Sequence, residues 1–234
     1  MRFVSCGASV TGPRHKDQLE PNQDSMSLAG WRGGWIGAVA DGLGSRARSD
    51  VGSRCACQVV RRVLRDAPRD LDLAGLLPSI HEHWIEAIKP VTPKDAATTL
   101  LFARVNNHGE IVAAQLGDGL LLMKCAGKFR QITPERVGYG NQTFALESSH
   151  LQERWSIAEG KLGQPGDGVV LLTDGVADDL DPSQLAAFMD ALYEDLCVRS
   201  RRNGRRWLQS EMHDWATPLH SDDKTIVAIF RTSK

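Results

Sequence analysis

Residues 168–175 read Gly-Val-Val-Leu-Leu-Thr-Asp-Gly, and this stretch decides the fold class. A short apolar run of this kind, with no polar interruption from Val169 to Leu172, describes a strand covered on both faces. Asp174-Gly175 ends it. A helix is expected over 182–200, where Leu185, Phe188, Met189, Leu192 and Leu196 share one face. A buried strand followed by an amphipathic helix predicts a sheet with helices packed on it.

The pairing of an apolar run with an aspartate occurs twice more, in IGAVADG at 36–42 and in HSDDKTIVAIF at 220–230. An aspartate at the end of a buried strand points its carboxylate out of the sheet edge or into a cleft, and a neighbouring glycine lets backbone come close to a ligand. The intervals are 174 − 41 = 133 and 222 − 174 = 48 residues, so any meeting of Asp41, Asp174 and Asp222 is tertiary. Carboxylates that meet raise one another's pKa and require a cation. An all-oxygen set suits Mg²⁺ or Mn²⁺. Two such ions about 3.5–4 Å apart can acidify a water and clamp a phosphoryl group. Asp-Gly is also a common turn dipeptide, so one such motif alone reads as a turn and only the combination points to a site.

Working outward, strands are expected at 2–10, 25–29 and 35–40, with a loop rich in turn formers at 11–22. Helical spacing of Val51, Cys55, Val59, Val60, Val63 and Leu64 predicts a helix over 47–66, and a second fits 73–89. From 96 to 131 the runs TTLLFARV, EIVAAQLG, LLLMKC and KFRQI, divided by turn residues, predict an antiparallel meander. Residues 133–165 show little periodicity and read as a surface flap, and 225–230 as the last strand. Strands at both ends enclose helices, with no repeat and no Pro/Gly-rich linker. One domain over 1–234, an α/β sandwich, is the expectation.

Composition narrows the function classes. With 41% hydrophobic and 24% charged residues the chain is that of a folded globular protein. Its 28 Lys and Arg against 29 Asp and Glu exclude nucleic-acid binding by bulk charge neutralisation. The five cysteines are scattered without a C-x-x-C pair, which reads as reduced thiols in a cytoplasmic setting. No apolar stretch approaches the roughly 20 residues that span a bilayer, and the first residues lack an apolar signal core, so neither secretion nor membrane insertion is expected. Asn141-Gln142-Thr143 matches a glycosylation sequon and is set aside on those grounds.

The motifs resemble, in order along nearly the whole chain, those of the PPM or type 2C metal-dependent Ser/Thr protein phosphatases, in particular their compact bacterial members. NQDS at 22–25 resembles the first acidic motif and VADGLGSRARSDVGS at 39–53 the second. DAATTLL at 95–101 is similar to the G-x-T-T strand, LGDG at 116–119 to the G-D-S-R turn, LLTDGVAD at 171–178 to the S-D-G motif, and DDKT at 222–225 to the closing D-N-x-T. The resemblance implies a four-layer α-β-β-α sandwich with two central, mainly antiparallel sheets. It further implies direct hydrolysis of phosphoserine and phosphothreonine monoesters by a metal-activated water at a binuclear Mn²⁺ or Mg²⁺ centre.

Carried over by motif, Asp41 would bridge both ions with the Gly42 carbonyl on one of them. Asp174 and Asp222 would hold the second, Asp24 would act at one remove, and Asp118 would serve a labile third ion. Asp41 and Asp174 are thus the residues on which catalysis is expected to rest. Three positions depart from the family's pattern. Leu19 stands near where an arginine grips phosphate, which turns attention to Arg14, His15 or Lys16. Leu43 replaces a histidine that serves animal members as a candidate acid, leaving protonation of the leaving oxygen to a metal-held water or His15. Leu120 replaces the arginine of the G-D-S-R turn.

The implied partners are phosphoserine and phosphothreonine proteins, including a cognate kinase or its substrate, with no nucleic acid and no membrane; the chain is expected to act as a cytoplasmic monomer. Two other readings stand beside the enzyme: a non-catalytic phosphoprotein-binding pseudophosphatase, and a phosphatase dedicated to one regulator in a partner-switching circuit. Thr98 and Thr99 read as packing residues rather than nucleophiles, because nothing activates them. His81 and His83 are spaced so that their rings do not share a helix face. The run RSRRNGRR at 199–206, followed by Trp207, reads first as a solvated helix end and second as a docking patch.

Overall fold

The computed structural model describes residues 1–68, 72–134, 143–148, 151–215 and 221–233. Two five-stranded sheets, antiparallel throughout, form its centre. The first has the order β1 (Arg2–Val10), β10 (Lys224–Thr232), β9 (Gly168–Leu172), β6 (Leu120–Cys125), β7 (Lys128–Gln131). The second has the order β2 (Asp24–Trp31), β3 (Gly34–Asp41), β4 (Leu100–Val105), β5 (Glu110–Leu116), β8 (Ser156–Lys161).

Side-chain alternation explains the layers. In β9, Val169 and Leu171 enter the core between the sheets with Val39, Leu101, Val227 and Ile229, while Val170 and Leu172 face outward. That outward face is covered by α5 (Leu185–Cys197) and α6 (Arg201–Asp214) through Met189, Leu192, Leu208 and Met212. The second sheet is covered by α2 (Ser49–Asp66) and α3 (Leu73–Ala87), with Phe102 and Leu100 of β4 meeting Val60, Leu64, Ile80 and Trp84. A strand buried on both sides needs apolar residues at every position, hence the uninterrupted run of β9. The result is the expected four-layer α-β-β-α sandwich.

Four expectations change. The stretch 96–131 is not one meander: β4 and β5 lie in one sheet, β6 and β7 in the other. The chain crosses between sheets at Gly117-Asp118-Gly119, where Gly117 has φ +107° and the Gln115 side chain donates to the carbonyls of Gly117 (3.1 Å) and Gly119 (2.7 Å). A left-handed φ at the crossing suits glycine, which carries no Cβ. The 133–165 stretch contains the edge strand β8. Of its six residues only Ala158 is buried, so it has no periodic apolar signal. Gly138 and Gly140 of this stretch lie outside the described residues.

The basic run does not end a helix. α5 stops at Cys197, Ser200 caps α6 by accepting from the Asn203 N–H, and Arg201 to Arg206 form the first half of α6. The loop at 11–22 also holds a short helix, α1 (Pro13–Asp17). No helix among the described residues is long and apolar enough to cross a membrane.

Candidate active site

The strand ends that carry the aspartates meet at one end of the sandwich. β2 and β3 pair so that Asp24 lies opposite Asp41. Thr98 and Thr99, just before β4, hold the Asp41 backbone from the other side: the Asp41 carbonyl accepts from Thr98 Oγ1 and from the Thr99 N–H (both 2.8 Å), and its N–H donates to Thr99 Oγ1 (3.0 Å). These threonines position an aspartate, which is more specific than the packing role expected of them.

Asp174 opens α4 (Asp174–Ala177) directly after β9, and Asp222-Asp223 precede β10. The two segments touch through glycine. A Cβ on Gly175 would stand 2.0 Å from the Asp223 carbonyl oxygen, so Gly175 serves backbone-to-backbone contact here rather than approach to a ligand.

A cavity of about 180 Å³ lies at this junction, bordered by Arg14, Gln23, Asp41, Thr143, Asp174 and Asp222 among others. Asp118 also reaches it from the crossing between sheets. Carboxylate oxygens of Asp41, Asp118 and Asp174 lie within 4.8 Å of one another. Asp222 borders the same cavity, and one of its oxygens groups within the same limit with His15 and Asp223 instead. Gly42 also borders the cavity, its N–H donating to the Gln23 carbonyl at 3.1 Å. Asp24 does not reach the border. It is buried, and its carboxylate accepts from Thr173 Oγ1 at 2.7 Å.

The electrostatics are those of crowded carboxylates. Burial raises the Asp41 carboxyl well above its ordinary range, and Asp24, Asp174 and Asp222 push it the same way. Burial raises Asp24 as well, opposed by hydrogen bonds from Thr225 and Thr173 and reinforced by Asp223 and Asp174. Asp174 is pushed up to about 6, by burial first and then by the charge of Asp118, with a hydrogen bond to Asp41 working against both. The strongest charged neighbours of Asp41 and Asp174 are other carboxylates. Such a set resists full ionisation unless a cation joins it.

Arg14 and His15 come to the site on α1 and differ in placement. Arg14 is exposed at the cavity border, its N–H donating to the Ser221 carbonyl at 3.2 Å. His15 borders the cavity but is only 4% exposed, with Nδ1 2.9 Å from Asp223 Oδ2. Leu19, near where the resemblance would put an arginine, is 94% exposed. Leu43 sits on the cavity border, whereas Leu120 packs under α5 and α6, away from it.

Sequence reasoning missed Thr143, whose hydroxyl donates to Asp118 Oδ2 at 2.5 Å, and the anchoring role of Asp223. Asp223 accepts from the N–H groups of Gly12 (2.7 Å) and Gln23 (2.6 Å). Thr143 lies in an aperiodic segment as the last residue of a sequon, whose other two positions are outside the described residues, so no local signal marked it.

The comparisons with known proteins agree with this architecture. No curated protein matches the chain significantly. Among solved structures it is similar to the catalytic domain of the serine threonine protein phosphatase PstP in complex with two manganese ions, with 20% identity, TM-score 0.68 and 99% of each chain covered. It is similar to PppA, described as a key regulatory component of T6SS in Pseudomonas aeruginosa, with 20% identity, TM-score 0.69, and 98% of this chain and 97% of that one covered. It also resembles RsbX in complex with magnesium, with 15% identity, TM-score 0.62, and 97% and 94% covered. At these identities the likeness is one of fold. A sequence model described as protein phosphatase 2C matches residues 11–215, which include Asp24, Asp41, Asp118 and Asp174. The chain therefore belongs to the protein phosphatase 2C family of serine/threonine phosphatases.

Proposed function

We propose that this chain, acting as one domain over 1–234, hydrolyses phosphoserine and phosphothreonine monoesters in proteins at a binuclear Mn²⁺ or Mg²⁺ centre. Asp41, Asp174, Asp222 and the Gly42 carbonyl would hold the two ions, Asp118 a third, and Asp24 would support Asp41 from behind. The observation that carries this reading is the meeting of Asp41, Asp118 and Asp174 within 4.8 Å. Their donors are all oxygen and their carboxyls are raised by burial and by one another, which is the environment a hard divalent cation stabilises. Bound there, such ions neutralise phosphoryl oxygens and acidify the attacking water.

The chain's own residues divide the remaining work. Arg14, exposed at the border, offers a planar fork for the substrate phosphate. His15 is buried with Nδ1 2.9 Å from Asp223 Oδ2, turned toward that carboxylate just before β10. Thr98 and Thr99 fix the Asp41 backbone, and Thr143 orients Asp118. Leu43 can neither donate nor accept a proton, so the leaving oxygen draws its proton from solvent within the cavity.

The likeness to PppA, itself named as a regulatory component, favours one signalling circuit as the setting, with a cognate kinase or its substrate as partner in the cytoplasm. The test is Mn²⁺-dependent hydrolysis of a phosphothreonine peptide by wild type and Asp174→Asn, with calorimetric Mn²⁺ titration alongside. Undiminished activity of Asp174→Asn would sink the site assignment. Phosphopeptide binding with neither hydrolysis nor Mn²⁺ uptake would identify a pseudophosphatase.

A further inference from the structure

A larger cleft, about 650 Å³, lies along the side of the sandwich away from the acidic cavity. β1 and β2 are the edge strands of their sheets, so the inter-sheet core is open here to whatever covers it. Met26 and Leu28 of β2, at the border of that core, make an apolar floor. The wall is one flank of α6 carrying Arg201, Arg202, Arg205 and Arg206.

These four arginines are exposed, and among the described residues none pairs with a carboxylate; Arg201 lies over the Trp35 ring at 4.6 Å. Arg199, just before α6, pairs with Asp195, and Lys124 pairs with Asp190, each at 2.6 Å. The four also occupy the first half of a 14-residue helix with no acidic residue in its first turn. Cations at that end oppose the helix dipole, and neighbours at i, i+4 repel one another. An anion in the cleft relieves both effects.

We infer that the cleft docks an acidic segment of the phosphoprotein substrate, a reading that rests on the phosphatase assignment above. The arginines span about 7.5 Å of helix, enough for a few carboxylates and too short for a polyanion, and the floor suits an aliphatic side chain between them. The net charge of −1 further disfavours nucleic acid. Leu28 is four residues along β2 from Asp24, about 13 Å, so the acidic segment lies at least about four residues from the phosphorylated one.

The test uses the full chain and two readouts. A fluorescein-labelled, unphosphorylated Glu-Glu-Leu-Glu-Glu peptide should bind wild type saturably at physiological salt, and R202E/R205E/R206E should weaken it about tenfold. The same variant should raise KM about tenfold for a phosphothreonine peptide carrying that segment, leaving kcat and p-nitrophenyl phosphate hydrolysis unchanged. Glutamates suit the start of α6, so the variant's Tm should be at least that of wild type. Should it fold poorly, R205Q/R206Q gives the same comparison with a smaller effect. Equal peptide binding by variant and wild type overturns the inference. So does a proportional loss on p-nitrophenyl phosphate, or tighter binding of a single-stranded oligonucleotide than of the peptide. If wild type hydrolyses nothing yet the two proteins still differ in peptide binding, the phosphatase reading fails and the acidic docking cleft stands.

Discussion

Asp24 and Asp41 stand directly opposite each other in the β2–β3 ladder, two carboxylates both held well above the ordinary range by burial. Like charges across a strand pair are destabilising, so this end of the sandwich costs stability as long as no cation joins the two carboxylates. Asp41→Asn should stabilise the metal-free protein by about 1–2 kcal/mol, raising Tm by several degrees. In the same variant Mn²⁺ should no longer raise Tm, and hydrolysis should fall by more than about 100-fold. Thermal scans with and without Mn²⁺ check the first pair of outcomes, and a phosphopeptide assay the last.

The raised carboxyl of Asp174, at about 6, carries a signed pH dependence. Between its unfolded value near 3.9 and about 6 the native state binds a proton that the unfolded chain releases. Below that window the favourable contribution is fully present and independent of pH, and it is lost as pH rises through the window. Metal-free protein should therefore lose on the order of 2 kcal/mol between about pH 4 and 6.5, and Asp174→Asn should flatten that slope. Urea unfolding across the range measures it.

Asp223 joins chain segments 200 residues apart by accepting from the Gly12 and Gln23 N–H groups while facing His15. Asp223→Ala leaves those buried donors without an acceptor and should cost about 2–4 kcal/mol. Asp223→Asn, which keeps one acceptor oxygen and matches the family's usual residue, should cost less. Chemical denaturation of the two variants separates them.

Gly175→Ala places a methyl group 2.0 Å from the Asp223 carbonyl oxygen, where backbone has to move. The variant should lose about 2–4 kcal/mol and, because Asp174 and Asp222 flank this contact, lose Mn²⁺ affinity as well. Calorimetric titration at a temperature where the variant remains folded tests the second effect.

Arg14→Ala should raise KM for a phosphothreonine peptide about tenfold or more with little change in Tm, since the side chain is exposed. Arg14→Lys should recover part of the loss, because an ammonium supplies the charge without the fork. Steady-state kinetics on the three proteins decide it.

How much of this was legible in the chain follows from what local pattern records. Periodicity reports which faces are covered, so β9, α2, α3 and α5 were readable, and apolar runs beside Asp41, Asp174 and Asp222 marked the strand ends that meet. Partners are another matter. β8 carries mostly polar residues at a sheet edge, and the turn at 117–119 looks the same whether it joins two strands of one sheet or of two. The arginines of 199–206 carry the same local pattern whether they end one helix or, after the Ser200 cap, begin another.

By itself, then, the sequence determined the element types, the layered α/β class and the acidic residues available for chemistry, because each is written in spacing of a few residues. Only the tertiary structure decided that Asp118 joins Asp41 and Asp174 while Asp24 lies behind them, and that Arg14 is exposed at the cavity while His15 is buried against Asp223. Those outcomes depend on packing between segments far apart in the chain, 174 − 118 = 56 residues for Asp118 and Asp174 and 223 − 15 = 208 for His15 and Asp223, where burial and contact between segments, rather than local propensity, select the partner.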